Sequence, residues 1–198
     1  MFLFRQRGSG YGFKVSEMRI ITGQHKGRAI TMPKGIRPTQ SKVRKAIFDI
    51  LGDVSGLSFL ELFAGTGAVG FEAASRGAAE VELVELDRGC QRAIEENIRA
   101  LKLESCHLRM QEAQEAVRDL FRRGKKFDLI FLDPPYYREF SKKTLQTLSD
   151  YDILFDNGLL VVQHFKKDEL PDTLGVLNLF KRSRYGDTVL SFYRKLKK

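Results

Sequence analysis

A glycine-rich segment with an acidic residue before it and another after it is the first candidate for chemistry. Gly65, Gly67 and Gly70 spell Gly-x-Gly-x-x-Gly, a pattern that lets a ligand approach backbone unshielded by Cβ atoms. Glu85 follows Gly65 by 20 residues, the spacing at which a carboxylate can accept both hydroxyls of a ribose. Glu61, four positions before Gly65, suits an ammonium group. These residues predict a site for a ligand with an adenosine-like ribose.

The turn Asp133-Pro134-Pro135-Tyr136 is the second candidate. Two prolines fix φ at about −65° and remove two backbone N–H donors, so the backbone of the two prolines offers only carbonyl acceptors. The Asp133 carboxylate and the Pro134 carbonyl can accept both hydrogens of an exocyclic amine, while Tyr136 offers a ring for a planar base. Holding both N–H bonds favours the pyramidal amine, whose lone pair then points at a sulfonium methyl group. The turn predicts methylation of an aromatic amine.

The ribose could belong to NAD or to S-adenosylmethionine. Dinucleotide enzymes usually carry a second, substrate-binding domain, and only about 33 residues follow residue 165. A pyrophosphate favours backbone amides at a helix N-terminus without an anion beside them, whereas Glu61 can bind the ammonium of a methionyl group. Both arguments favour S-adenosylmethionine as the cofactor, with S-adenosylhomocysteine as the product.

Alternating strand and helix patterns position the two candidate segments. Strands are predicted at 58–64, 80–86, 106–110, 127–132 and 159–165, and helices at 68–76, 88–101, 113–123 and 140–148. Such βα repeats give a parallel sheet covered on both faces, and the carboxyl ends of its strands bring the glycine segment beside Asp133. Strand-like runs at 177–184 and 188–193, separated by a Gly-containing turn, predict a final antiparallel hairpin. The predicted fold is α/β, doubly wound and mostly parallel.

Basic charge is concentrated at the two ends of the chain. Residues 1–59 hold 11 Lys/Arg against 3 Asp/Glu, residues 60–140 hold 12 against 15, and residues 141–198 hold 11 against 7. A near-neutral middle between basic ends predicts a polyanion-binding surface, because phosphate contacts supply most non-specific affinity for nucleic acid.

Three segments are predicted along the chain. Residues 1–17 form an arm or an extension, and Met18 is a candidate alternative start. Residues 18–56 form a small basic hairpin and a helix, and residues 57–198 form the catalytic domain. Thr39 is the expected N-cap of that helix, whose apolar stripe leaves Lys42, Arg44 and Lys45 toward solvent or a partner.

Composition excludes several classes of protein. With 198 residues, 42% of them hydrophobic and 30% charged, the chain suits one globular domain. No apolar run approaches the roughly 20 residues of a membrane helix, which predicts a cytoplasmic protein without membrane contact. Two cysteines and three scattered histidines, with no Cys-x-x-Cys pair, predict reduced thiols and no metal site.

Together these motifs resemble the class I S-adenosylmethionine-dependent methyltransferases that modify exocyclic amines. More narrowly, the chain is similar over residues 18–195 to the bacterial family that methylates the guanine 2-amino group in 16S ribosomal RNA. Four segments carry this narrower resemblance: Arg19-Ile-Ile-Thr-Gly23, Lys26-Gly-Arg28, Arg37-Pro-Thr39 with Val43-Arg44 and Phe48, and Tyr185-Gly-Asp-Thr188.

The resemblance implies a seven-stranded sheet, a monomer, and 16S ribosomal RNA or the assembling small subunit as partner. The implied catalytic residues are Asp133, Pro134, Pro135 and Tyr136. The implied cofactor residues are Glu61, Phe63, Ala64, Gly65, Thr66, Gly67, Glu85, Leu86, Glu112, Ala113 and Asp133. The residues expected to contact RNA are Arg19, Lys26, Arg28, Arg37, Thr39, Lys42 and Arg44, although Arg37 and Thr39 could instead close over the cofactor.

Two positions depart from the family pattern. Glu112 precedes Ala113 where these methyltransferases often have Asp or Asn, so a longer carboxylate must meet the adenine or turn outward. Gln163 stands where the family often has glutamate, which puts a role for an acid there in doubt. Two other functions stay open, namely methylation of adenine or of another amine, and RNA binding without catalysis.

Overall fold

Ten strands and five helices make up the parts of the chain described by the computed structural model, residues 18–33, 39–135 and 140–195. The strands are β1 (Met18–Arg19), β2 (Ala29–Ile30), β3 (Ser58–Leu62), β4 (Glu80–Val84), β5 (Cys106–Arg109), β6 (Phe127–Leu132), β7 (Leu154–Phe165), β8 (Thr173–Leu174), β9 (Leu177–Tyr185) and β10 (Thr188–Lys195). The helices are α1 (Ser41–Leu51), α2 (Ala68–Ser75), α3 (Arg88–Leu101), α4 (Ala113–Arg122) and α5 (Phe140–Asp150).

The main sheet has the strand order β5-β4-β3-β6-β7-β10-β9-β8. Strands β3 to β7 pair in parallel, and β7, β10, β9 and β8 pair antiparallel. The predicted doubly wound, mostly parallel sheet and its final hairpin are confirmed. A two-residue strand, β8, extends the expected seven strands to eight at one edge.

Each face of the sheet is covered by its own set of helices. Helices α1, α2 and α3 share one apolar cluster with Phe59 of β3, and α4 and α5 share the other with Leu60 and Leu62. Because side chains alternate along a strand, Glu61 lies on the face of Phe59, below the start of α2. The alternation therefore places an acidic residue in a buried layer that is mostly apolar.

The N-terminal hairpin β1–β2 pairs Met18 with Ile30 and is attached to α2 through a buried carboxylate. Glu72 is fully buried and accepts hydrogen bonds from the backbone N–H groups of Ile21 (2.8 Å) and Thr22 (2.9 Å). The Arg76 guanidinium donates to the same carboxylate at 3.1 Å. Glu72 thus fixes the hairpin to the core by charge-assisted hydrogen bonds.

Helix α1 begins differently from the sequence expectation. Gln40, not Thr39, is the N-cap residue, and its side chain forms no capping hydrogen bond. Thr39 directs its hydroxyl elsewhere, as described below. Among the described residues, no helix is both long and apolar enough to cross a bilayer.

Candidate active site

A cleft of about 960 Å³ opens at the carboxyl ends of the parallel strands. Its volume falls within the range typical of small-molecule sites. It is lined by the ends of β3 and β7, by the segments after β3, β4 and β6, by the start of α1 and by the β9–β10 turn. The lining residues are Thr39, Gln40, Lys42, Val43, Glu61, Phe63, Ala64, Gly65, Thr66, Ala68, Glu85, Asp87, Cys90, Asp133, Pro134, Pro135, Gln163, Phe165, Tyr185, Gly186, Asp187 and Thr188.

The loop between β3 and α2 has the geometry that the glycine spacing predicts. Gly65 has a φ of +54°, and a Cβ added there would meet nothing within 4 Å, so a ligand can approach its backbone. Gly70 is needed for a different reason, because a Cβ there would collide with Leu83 and lie 2.9 Å from Glu61 Oε2. Gly67 is the left-handed N-cap of α2 and is not among the cleft-lining residues.

Glu61 is a buried carboxyl group that lines the cleft. It is 3% exposed, and its Oε2 accepts a hydrogen bond from the Gly70 N–H at 2.8 Å. Burial raises the pKa of Glu61 to about 8, with Asp133 and Glu85 adding repulsion and the Gly70 N–H opposing the rise. Within the described residues Glu61 forms no ion pair. A cationic ligand group would therefore find an acidic partner in a desolvated place.

Glu85 has a structural task that the sequence analysis missed. Its Oε2 accepts from the Gly65 N–H at 2.6 Å, and its Oε1 accepts from the N–H groups of Leu86 and Asp87, both at 2.8 Å. The carboxylate thus ties the glycine loop to the end of β4. A carboxylate accepts about four hydrogen bonds, so these three leave limited capacity for ribose hydroxyls.

The remaining expected cofactor residues divide into two groups. Phe63, Ala64 and Thr66 line the cleft. Leu86, Glu112 and Ala113 are not among its lining residues. The Glu112 side chain accepts a hydrogen bond from the Glu115 N–H at 3.1 Å and so caps α4. Of the two expectations for Glu112, contact with the adenine or an outward orientation, this contact agrees with the second. Leu86 is 62% exposed.

Asp133 follows β6 and is held by two donors from distant parts of the chain. Its Oδ2 accepts from the Gln163 Nε2 at 2.9 Å and from the Thr39 hydroxyl at 3.2 Å. Burial raises the pKa of Asp133 to about 7, and both hydrogen bonds act against that rise. Pro134 and Pro135 follow directly in the cleft wall. Tyr136 lies outside the described residues.

Gln163 resolves one of the departures from the family pattern. As an amide it donates to Asp133, which a glutamate could do only when protonated. Its own Oε1 is buried and has no hydrogen-bond partner in the described part of the chain.

The residues expected to contact RNA are only partly at the surface. Arg19, Lys26, Arg28 and Lys42 are exposed, and Arg37 lies outside the described ranges. The expectation that Arg44 faces solvent is wrong.

Arg44 is fully buried because its guanidinium completes the contacts around Glu72. Its Nη2 donates to the Arg19 carbonyl, and its Nε lies 3.7 Å from Glu72 Oε2. Helical periodicity places Arg44 outside the apolar face of α1 and so predicts that it is exposed. The N-terminal hairpin covers that side of α1, and Arg44 is therefore buried. In this arrangement Arg44 is unavailable to a phosphate group.

Metal ligands are not clustered in the described ranges, where no group of three or more His, Cys, Asp or Glu residues could hold an ion.

Comparison with known proteins assigns the chain to a family. The family model described as Conserved hypothetical protein 95 matches residues 18–194. The chain belongs to this family. One relative, named "Ribosomal RNA small subunit methyltransferase D" in Escherichia coli (strain K12), is 31% identical over 182 residues, which cover 90% of this chain and 90% of the relative.

Solved structures agree with the topology of this conserved hypothetical protein 95 member. The Escherichia coli protein yhhF has a TM-score of 0.83 at 30% identity, covering 92% of this chain and 99% of that chain. SMU.776, crystallised with SAH, has a TM-score of 0.60 at 20% identity over 81% of this chain and 50% of that one, a likeness of fold alone. The Rossmann-like methyltransferase fold is thereby confirmed.

The β9–β10 turn is a part of this family member's cleft to which the sequence analysis assigned no role. Tyr185, Gly186, Asp187 and Thr188 line the cleft, and Asp187 forms an ion pair with Lys166 at 2.7 Å. The sequence did mark this turn, since the segment Tyr185–Thr188 is one of the four that carry the family resemblance. What was missing is the sheet order, which brings β10 beside β7.

Proposed function

We propose that the protein transfers a methyl group from S-adenosylmethionine to the exocyclic 2-amino group of a guanine in small-subunit ribosomal RNA. One observation carries the proposal. The turn that begins at Asp133 shares a single cleft with Glu61 on β3, Gly65 after β3 and Glu85 after β4. The Escherichia coli relative named for small-subunit ribosomal RNA methylation, which this chain matches over 90% of its length, supports the class of substrate.

The residues after β3 and β4 fit S-adenosylmethionine. Glu61 supplies a buried carboxyl with no ion pair in the described residues, and an ammonium group bound beside it would favour its ionised form against the burial that raises its pKa. Gly65 supplies open backbone, and Glu85 lies beside it. The SAH in the SMU.776 structure, the product of such a transfer, supports the same ligand class. When bound, S-adenosylmethionine supplies an electrophilic methyl group.

Asp133 and Pro134 would orient the amine. Both donors to Asp133 from the described residues reach Oδ2, so Oδ1 can accept one amine hydrogen while the Pro134 carbonyl accepts the other. This arrangement directs the nitrogen lone pair out of the plane of the base and toward the cofactor side of the cleft. The methylated amine must then lose a proton. Asp133, with its pKa raised to about 7, can accept it near neutral pH.

RNA would be held by cationic side chains in the cleft and on the N-terminal hairpin. Lys42 lines the cleft, and Arg19, Lys26 and Arg28 lie exposed on the hairpin β1–β2 and its turn. A base must leave its stack before it can reach Asp133, and cations that hold the flanking phosphates favour that state. Such a substrate belongs to the bacterial cytoplasm.

The test uses purified protein, S-adenosylmethionine with a labelled methyl group, and small ribosomal subunits that lack the modification. Nucleoside analysis should find the label in N2-methylguanosine. Asp133→Ala should lower kcat by roughly 100-fold or more while cofactor affinity stays within about twofold. Label on adenine would overturn the choice of base and leave the chemistry standing. Unchanged function in Asp133→Ala would favour an RNA-binding protein without catalysis.

A further inference from the structure

Gln163 lies directly beside Asp133 at the cleft edge of the sheet. Leu132 pairs with Val162 in the parallel ladder between β6 and β7, so the next residue on each strand is Asp133 and Gln163. The Gln163 side chain is a two-ended group whose Nε2 donates to Asp133 Oδ2 at 2.9 Å. Since a carboxylate oxygen requires a donor, this bond fixes which end of the amide faces Asp133 and turns Oε1 away from it.

The amide oxygen of Gln163, Oε1, is the end of this side chain for which the described residues offer no hydrogen-bond donor. Gln163 is 6% exposed and lines the cleft, yet Oε1 has no hydrogen-bond partner among the described residues. Leaving a buried acceptor unpaired destabilises the folded protein, and such atoms usually receive a donor from a ligand or from water. A donor brought by a ligand would satisfy this oxygen.

Strand order indicates which ligand brings that donor. The main sheet runs β4-β3-β6-β7, with Glu85 after β4, Glu61 on β3, Asp133 after β6 and Gln163 on β7. The proposed cofactor residues therefore lie on one side of Asp133, and Gln163 lies on the other. When Asp133 binds the amine, the ring that carries this amine would lie closer to Gln163 than the cofactor does. The missing donor therefore belongs to the substrate base.

We propose that Gln163 Oε1 accepts the ring N–H adjacent to the amine that is methylated, and so selects guanine. The inference rests on the proposed function and deepens it. In guanine the 2-amino group is next to N1–H, a donor. In adenine and cytosine the exocyclic amine is next to a ring nitrogen lone pair, which would face Oε1 without a hydrogen. An acceptor at this place admits the first base and rejects the other two.

The test combines one change in the protein with one change in the substrate. 2-Aminopurine keeps the 2-amino group and lacks both N1–H and the O6 carbonyl, and it replaces the target guanine in a ribosomal RNA fragment prepared by ligation. For the unaltered protein kcat/KM should fall by about 10- to 100-fold on this replacement. In Gln163→Leu the rate with guanine is already low, and the same replacement should lower kcat/KM by a markedly smaller factor than in the unaltered protein, because the interaction between Oε1 and N1–H is already absent and only recognition of O6 remains.

Thr39→Val is the matched control. It removes the other donor to Asp133 Oδ2 and leaves Gln163 Oε1 untouched, so its ratio of guanine to 2-aminopurine rates should equal that of the unaltered protein. Circular dichroism melting and calorimetry with S-adenosylmethionine confirm that each variant is folded. Should Gln163→Leu not fold, Gln163→Met replaces it with a side chain closer in length to glutamine.

The possible outcomes separate the two proposals. If guanine is methylated at N2 and Gln163→Leu keeps the full discrimination, this inference is overturned and the proposed function stands. If the unaltered protein makes no N2-methylguanosine, the proposed function fails and the inference fails with it. A loss of discrimination in Gln163→Leu alone, with Thr39→Val unaffected, supports the acceptor role.

Discussion

The Asp133 carboxyl is buried and accepts two hydrogen bonds on one oxygen, and these two features have opposite effects on its pKa. Burial raises its pKa to about 7, while Thr39 and Gln163 favour the ionised form and hold the pKa below what burial alone would give. The ionised carboxylate is the form that can accept both an amine hydrogen and the proton released later. Activity should therefore increase as the pH rises through about 7.

Thr39→Val should move the pH dependence of kcat to higher pH. Removing the hydroxyl that donates at 3.2 Å takes away a stabiliser of the charged form, so the pKa of Asp133 rises further. A shift of about one pH unit in the acidic limb is expected. The profile is measured with saturating cofactor, so that titration of Glu61 in the free protein does not contribute. A limb that moves to lower pH, or not at all, would contradict the assignment to Asp133.

Gly70 allows α2 to approach β3 and β4 closely, because it has no side chain at the point of contact. A Cβ at this position would collide with Leu83 and meet Glu61 Oε2 at 2.9 Å, and the Gly70 N–H is the hydrogen-bond donor to that same oxygen. The glycine is therefore needed by the Glu61 carboxyl as well as by helix packing.

Gly70→Ala should weaken S-adenosylmethionine binding by about tenfold or more, equivalent to ~1.4 kcal/mol, measured by calorimetry. The reason is displacement of Glu61 from the ammonium site. Gly124→Ala is the control, since its left-handed backbone (φ +65°) carries a conformational cost but a Cβ there meets nothing within 4 Å. Equal cofactor affinity in Gly70→Ala and the unaltered protein would argue against Glu61 as the ammonium partner.

At the scale of elements, the hairpin β1–β2 depends on Glu72 of α2. Glu72→Ala removes the anion that lies 3.7 Å from the buried Arg44 guanidinium, and it leaves two backbone N–H groups without their acceptor. The free energy of unfolding, measured by urea denaturation, should fall by about 3–5 kcal/mol. Lys45→Ala removes only an exposed pair with Asp49 and should cost less than about 1 kcal/mol. Comparable losses in the two variants would contradict this account of the hairpin.

At the scale of the whole molecule, the exposed cations of the N-terminal hairpin should govern affinity for RNA and its dependence on salt. Lys26→Ala combined with Arg28→Ala should raise KM for the RNA substrate and reduce the salt slope of binding by about one to two units, with kcat little changed. Arg122→Ala is the control, because this exposed side chain lies on α4, on the opposite face of the sheet. An equal effect of Arg122→Ala would indicate diffuse attraction without a defined surface.

Element positions were largely predictable from the sequence, because periodicity reports which local backbone buries apolar side chains. Helix α3 and strand β6 have the expected bounds, and the other main elements differ by a few residues at their ends. Strand β7 begins five residues earlier than expected, at Leu154, and contains Asn157 with a φ of +64°. An irregular residue of this kind interrupts the two-residue period from which a strand is read.

The sequence by itself determined the glycine loop, the acidic residues on either side of it and the proline corner, since their spacing is local and one strand-to-helix turn suffices to use it. The tertiary structure alone decided that Thr39 and Gln163 meet at one oxygen of Asp133, from 94 and 30 residues away. It also decided that Arg44 is buried. Such contacts depend on which strand neighbours which and on how the N-terminal segment crosses the sheet, and no local period encodes either.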